Sequence, residues 1–311
     1  MTHHSRKLKN KIYILLAGIL WGSMGLFVRG LNSDNLESLE IVEIRVLIST
    51  IMMGLFLLFY DKSLFKIKLK DIWCFIGTGV LSITFFNLCY FQTILMTSMS
   101  VAAILLYTAP IIVVILSAIF FSEKITGSKV VAMILAFWGC FFVTGIVSGI
   151  LNGSLSGALP LKGILLGLGS GLGYALYSIF GRYAIERGYK SMTISFYTFL
   201  FSLLITLIIK PPKQMILKIV MGNTFKDVLL SMGIALVATV LPYILYTYGL
   251  TKVENGKASI MASIEPVTAT ILGMLVFHEH ITWDGALGII LVLIAIVILN
   301  TKIVPKKEQY K

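Results

Sequence analysis

Residues 261–282 read "MASIEPVTATILGMLVFHEHIT", and residues 105–126 read "LLYTAPIIVVILSAIFFSEKIT". Laid one over the other at an offset of 156 residues, Pro110 falls on Pro266, Phe121 on Phe277, Glu123 on Glu279, Ile125 on Ile281 and Thr126 on Thr282. Tyr90 meets Tyr246 at the same offset. Nearer the start of each half, "WGSMGLFVR" (21–29) aligns with "YALYSIFGR" (174–182) at an offset of 153, which brings Arg29 onto Arg182. Self-similarity at offsets so nearly equal over this distance means two copies of a single unit.

The composition says what the unit is made of. The 311 residues are 58% hydrophobic and 13% charged, too apolar for a water-facing surface. Largely apolar runs, with few charges, fall at 12–31, 41–60, 72–93, 100–120, 129–149, 162–184, 191–209, 227–249, 256–278 and 282–300. Each is about 20 residues, the length that crosses a ~30 Å hydrocarbon core at 1.5 Å per residue. The expectation is an all-α membrane protein of ten transmembrane helices, five per copy. The first run has the basic flank "RKLKNK" but no convincing small-x-small cleavage site, so it reads as a mature helix.

Charge orients the chain. With the amino terminus in the cytoplasm, 19 of the 26 Lys and Arg fall on the cytoplasmic side, six fall outside, and Arg45 lies within a span. Both termini are therefore expected in the cytoplasm of a plasma-membrane protein. The net charge of +12 reads as topology and contact with anionic lipid, not as a nucleic-acid surface. Only "KPPKQMILKIVMGNTFK" (210–226) disagrees, carrying four of the six outside charges, and its apolar residues hint at a short interfacial helix. Five being odd, the second copy enters the membrane from the opposite face. Inverted repeats of this kind are characteristic of secondary transporters, because two similar halves of opposite orientation allow two arrangements of similar energy.

On these residues the chain resembles the drug/metabolite transporter superfamily, and within it the EamA-type exporters. The resemblance is carried by "LWGSMGLFVR" in the first helix, by "EIRVLIS" with Arg45 in the second, and by the two proline-containing helices that end in Glu123 and Glu279. It implies two tandem EamA-like units at 12–147 and 163–299, with basic tails at 1–11 and 301–311. A ten-helix bundle around a central cavity, and export of amino acids or other small metabolites, are what the resemblance adds.

Glu265 and Pro266 are the residues that packing alone explains least. By helical rise Glu265 lies about nine residues, or roughly 13 Å, inside its span. A charge there costs at least ~2.5–3.5 kcal/mol on insertion scales, so it faces the bundle interior or a wet cavity. Pro266 has no N–H and leaves the Ala262 carbonyl without its helical partner, and lipid cannot satisfy that carbonyl. Pro110 repeats the kink, but Ala109 stands where Glu265 would be, so the prolines read as architecture and the acid as function. A polar spot at mid-depth suits an amino or cationic group, or a proton in transit. The bland alternative is a protonated carboxyl shared between helices.

Other residues on the same spans are candidates for lining the cavity. They are Trp21, Tyr174 and Tyr177 on the paired first helices, and Asn87, Tyr90, Tyr243 and Tyr246 on the third helix of each unit. Tyr107, Ser259 and Ser263 lie on the kinked helices. Tyrosines supply apolar contact with a hydroxyl, although in membrane bundles they are more often packing residues. Arg45, one turn inside its span, reads either as a snorkelling partner of Glu40 and Glu43 or as a gate. Glu123 and Glu279 read as helix-end fixers. Gly163, Gly167 and Gly171, four residues apart, offer a smooth face for close helix packing.

Enzyme chemistry is thinly represented. His278 and His280 are two residues apart, not the i, i+4 pair of a helical metal site, and the chain has no Walker-type phosphate loop. Cys74, Cys89 and Cys140 read as buried small hydrophobes. No cofactor, metal or catalytic residue is expected. The remaining partners are a small-molecule substrate, lipid and protons. A passive channel and a membrane-embedded transferase are the rival readings.

Overall fold

The structure is a computed structural model that describes residues 3–33, 36–97, 99–151, 153, 160–221, 224–278 and 280–300. The 301–311 tail and Glu279 lie outside the described residues. Among those described, eight helices are long and apolar enough to cross a membrane. They are α1 (Lys9–Asn32), α2 (Ser38–Tyr60), α3 (Leu69–Met96), α4 (Val101–Phe121), α6 (Leu161–Glu186), α7 (Ser191–Ile209), α8 (Phe225–Leu250) and α9 (Asn255–Phe277). Two shorter apolar helices, α5 (Gly127–Val143) and α10 (Trp283–Leu299), follow α4 and α9. This is a multi-pass, all-helical membrane protein. The segment 210–226 forms the short helix Lys213–Met221, as its apolar pattern predicts.

Local geometry repeats wherever the sequence does. The helical bonding of α4 breaks at Tyr107 and Thr108, and that of α9 at Ser263, just ahead of the two prolines. Each kinked helix then ends on a left-handed residue, Ser122 (φ 53°) in one copy and His278 (φ 54°) in the other. Neither is glycine, so both copies hold the same strained exit. In α3 the helical turn widens over Gly77–Thr84, and in α8 it widens over Leu236–Val240. Thr84 and Thr239 cap the widened turns by donating to the carbonyls of Gly79 and Ile234, five residues back.

The two copies interlock. The carbonyl that Pro110 frees, on Leu106, lies against Gly171 of α6, and the one that Pro266 frees, on Ala262, lies against Gly18 of α1. Gly18 and Gly171 are themselves equivalent, being 153 residues apart. Each kink is therefore covered by the first helix of the other copy, at a glycine that lets the two backbones approach. The second helices cross over likewise. Ser49 of α2 donates to Ala235 O of α8 at 3.3 Å, and its equivalent Ser202 of α7 bonds Thr84 of α3 at 2.9 Å.

There is no room at these crossings for a side chain. A methyl group on Gly18 would stand 2.5 Å from Ile264 Cγ2 and 3.0 Å from the Ala262 oxygen, and one on Gly171 would stand 2.6 Å from Thr108 Oγ1 and 3.0 Å from the Leu105 oxygen. Gly18→Ala and Gly171→Ala are each expected to destabilise the protein by about 1–3 kcal/mol, the usual cost of overpacking. Gly25 has nothing within 4 Å, so Gly25→Ala serves as the control and leaves stability unchanged or slightly raised. Melting temperatures of the three variants in detergent test the crossing.

Candidate functional site

Two small cavities sit where α1, α3, α4, α6, α8 and α9 converge. Tyr174 lines both. The first lies between the two helix breaks and is lined by Tyr107, Ala109 and Pro110 of α4 and by Ser259, Ser263 and Glu265 of α9. The second is walled by Trp21, Phe86, Tyr177, Tyr243 and Tyr246, with Ser82 and Ser178 supplying hydroxyls. The space about them, some of it open to the outside, comes to about 250 and 290 Å³, and each has free room for no more than a water molecule or two.

Trp21 organises the second cavity. Its ring meets Tyr174 at a centroid distance of 6.1 Å, Tyr243 at 5.3 Å and Tyr246 at 5.2 Å, mostly edge-on, the arrangement aromatic quadrupoles favour. The hydroxyls on the far side are tied down. Tyr177 bonds Thr247 at 2.7 Å, and Tyr246 bonds Ser178 at 2.8 Å. Tyr174 instead turns toward the first cavity and donates to Glu265 Oε2 at 3.2 Å. The carboxylate thus connects an aromatic chamber to a small polar one.

Nine of the eleven candidate lining residues come together here: Trp21, Tyr107, Tyr174, Tyr177, Tyr243, Tyr246, Ser259, Ser263 and Glu265. Asn87 and Tyr90 do not line either cavity. Asn87 donates to Ile83 O of its own helix at 2.6 Å, and Tyr90 packs on Phe86 and Phe91. Ser82 was missed by the sequence reading, because its position depends on the widened turn of α3, which leaves no mark in the residue pattern. Ser178, next to Tyr177, could have been found.

Arg45 corrects another expectation. It pairs with neither Glu40 nor Glu43; the buried guanidinium turns inward and donates to Met24 Sδ at 3.1 Å. Glu40 is taken by Lys218 at 2.8 Å and Lys210 at 3.2 Å, and Lys210 also reaches Glu37 at 2.8 Å. That contact holds the Glu37 carboxyl below its ordinary range. These pairs also explain the segment that disagreed with the charge count, since two of its lysines are matched by buried or adjacent acids.

At the opposite end of the bundle a polar clasp joins the copies. Glu123, just after α4, accepts the N–H of Asn255 at 2.7 Å and of Gly256 at 3.3 Å, capping the start of α9 where the helix dipole favours an anion. Arg182 of α6 donates to the carbonyls of Leu250 and Val253 at 2.7 and 2.9 Å and stands 3.9 Å from Glu123. Lys129, 2% exposed, bridges Glu123 at 3.4 Å and Glu254 at 2.7 Å. Glu123 therefore fixes the end of a helix, but the helix belongs to the other copy. Arg29, the equivalent of Arg182, lies over the ring of Phe277 at 4.6 Å.

The EamA-like transporter family's sequence profile matches residues 9–145 and again 161–301. The chain belongs to the EamA-like transporter family. An uncharacterized transporter of Archaeoglobus fulgidus is 25% identical over 289 residues, covering 92% of this chain and 94% of its own. Uncharacterized transporter YwfM of Bacillus subtilis is 23% identical over 300 residues, covering 96% and 95%. A solved structure described as "Crystal structure of protein" superposes with a TM-score of 0.74 at 14% identity over 93% of this chain and 95% of that one, a likeness of fold. The family twice over fits an EamA protein whose two copies interlock through their first and kinked helices.

The clasp yields a test of acid response. Partial burial pushes the Glu254 carboxyl up, but its hydrogen bond to Lys129 and the charge of Lys257 outweigh this and leave it below the ordinary value. A carboxyl lowered on folding stabilises above its unfolded-state value, and that contribution is lost as pH falls through the folded one. Melting temperatures of wild type and Glu254→Gln, measured from about pH 7 down to about pH 4, should differ at neutral pH and converge at the acidic end. Parallel curves would show that this pair contributes nothing. Glu123→Ala, which uncaps the N–H groups of Asn255 and Gly256 and leaves Lys129 to Glu254 alone, should cost about 1–3 kcal/mol by the same readout.

Proposed function

We propose that this chain is a ten-span, alternating-access carrier that exports an amino acid or a similar small amphipathic metabolite across the plasma membrane. The observation that carries the reading is the pair of cavities at the crossing of the two copies, aromatic on one side and acidic on the other. The solute's apolar body lies among Trp21, Tyr177, Tyr243 and Tyr246, and its amino group is drawn toward Glu265 through Tyr174. Both termini face the cytoplasm, so the clasp of Glu123, Lys129 and Arg182 closes the cytoplasmic end and the pairs of Glu37 and Glu40 lie at the outer end. The inverted orientation of the copies makes opening at one end and closing at the other similar motions.

The small free volume of both cavities belongs to this reading. A solute of amino-acid size enters only when the copies part, which is what a carrier requires and an open channel does not. Proton movement on and off Glu265 supplies the drive. A carboxyl at mid-depth in only one copy gives a single titratable carrier per cycle.

The test is mass spectrometry of the medium from cells expressing wild type or Glu265→Gln. One class of metabolite should accumulate outside with wild type. With the variant its level should fall at least about tenfold, as expected for loss of a charge-assisted contact of roughly 1.5–3 kcal/mol. Equal secretion by both would remove Glu265 from the mechanism. A medium unchanged from empty cells, with the protein present in the membrane, would overturn export.

A further inference from the structure

We propose that the chamber between the two helix breaks is a binding site for a single sodium ion, separate from the aromatic chamber that takes the solute. Three observations converge. Ser259 and Ser263 stand one turn apart on the same face of α9, 3% and 4% exposed, and both residues line the chamber. Among the described residues neither oxygen has a hydrogen-bond partner, and the Cys140 thiol beside Ser263 is at best a weak one. A buried hydroxyl left unpaired costs ~1–3 kcal/mol by mutational measures, so two in one water-sized space call for a ligand that needs oxygens.

The second observation is the charge. Glu265 faces the same space and receives only the Tyr174 hydroxyl among the described residues, leaving its other oxygen open. One carboxylate balances one monovalent cation. A divalent or transition metal would ask for more acids or for histidine and thiolate, and no such cluster occurs among the described residues.

The third is the backbone. The segments Met99–Leu106 and Asn255–Ala262 both end at this chamber, bringing two negative helix ends together. The carbonyls of Leu106 and Ala262 are covered by Gly171 and Gly18. That of Tyr107, one residue beyond Leu106, accepts no backbone N–H among the described bonds, because Ile111 turns its N–H to Thr108. Interrupted helices that offer unwound carbonyls beside a carboxylate are how membrane carriers hold coupling cations. The free room, about one water molecule, suits a bare sodium ion with its short oxygen distances better than potassium.

Sodium and the proton are then alternative occupants of Glu265. The carboxylate holds the ion only while ionised, so acid should weaken sodium binding. The site does not depend on the export reading, since it is defined by binding in the absence of any solute.

The test uses the purified full-length chain in detergent, with melting followed by tryptophan fluorescence. NaCl is titrated against KCl and choline chloride at constant ionic strength. Sodium should raise the melting temperature along a saturable curve that potassium and choline do not reproduce. The half-effect concentration should rise at least about tenfold in Ser259→Ala/Ser263→Ala, and the response should vanish in Glu265→Gln. Coincident curves for the three salts in wild type would overturn the site, as would a double variant with the wild-type midpoint. If the double variant does not fold, wild type alone decides: the sodium midpoint must rise by about tenfold per pH unit once protons compete. Sodium binding with an unchanged medium would sink export and keep the site; export without sodium response would do the reverse.

Discussion

A proline inside a lipid-embedded helix frees a carbonyl that lipid cannot satisfy, and this protein covers each such carbonyl with a glycine-bearing helix from its other half. Leu106 O on Gly171 and Ala262 O on Gly18 are equivalent contacts, so the solution is used twice. Its consequence is large. Because each kink needs the opposite copy's first helix, neither copy can complete its own interior, and the bundle folds as one interlocked body. The crossing of α2 on α8 and of α7 on α3 adds hydroxyl contacts to the same exchange. The cavities lie at these crossings because a kinked helix cannot pack tightly along its whole length.

The clasp follows from the same geometry. Once α9 is broken at Ser263, its lower segment, Asn255–Ala262, is a short helix with its own exposed N–H groups. Glu123 caps them, and Arg182 and Lys129 hold Glu123 and the chain before the cap. A segment held at one end by a carboxylate and at the other by a proline break can tilt as a unit. Glu123 is one of its restraints, beside the Asn255 side chain on Ser178 O and the buried packing of Ala258, Ile260 and Met261. The clasp and the polar chamber are thus two ends of one short rod.

Much of this was legible in the sequence, and the rest has identifiable reasons for being hidden. The two kinks, the short helix within 210–226 and most of the aromatic wall could be read because each depends on spacing along one helix, and the repeat because it recurs along the chain. The partner of Glu123 could not be read, since it lies 132 residues away. Arg45 misled because Glu43 is two residues from it on a helix, which places the two side chains on different faces. Glu40, five residues away, is off its face as well and is held by Lys210 and Lys218, whose connecting segment folds back over the start of α2. Asn87 is a candidate as a polar residue of the third helix on the face of Tyr90, but a widened turn rotates the helix ahead of both. A local change in helical repeat defeats any face assigned from a constant period.

The asymmetry between Ala109 and Glu265 is the last feature that needs a cause. The two helix breaks face each other across one chamber, and Ala109 and Glu265 both line it. An acid at position 109 would therefore stand opposite Glu265 in a space of about one water molecule. Two carboxylates so close and so far from water cannot both ionise, and inserting the second would add its own cost at mid-depth. A duplicated unit that kept the acid in both copies would hold one of them permanently protonated and would gain no charge. Symmetry in the backbone with a single acid in the chamber is the arrangement that electrostatics permits. It also makes the two halves unequal in the one place where the site needs a direction: the carboxylate belongs to α9, the helix whose lower segment the clasp restrains.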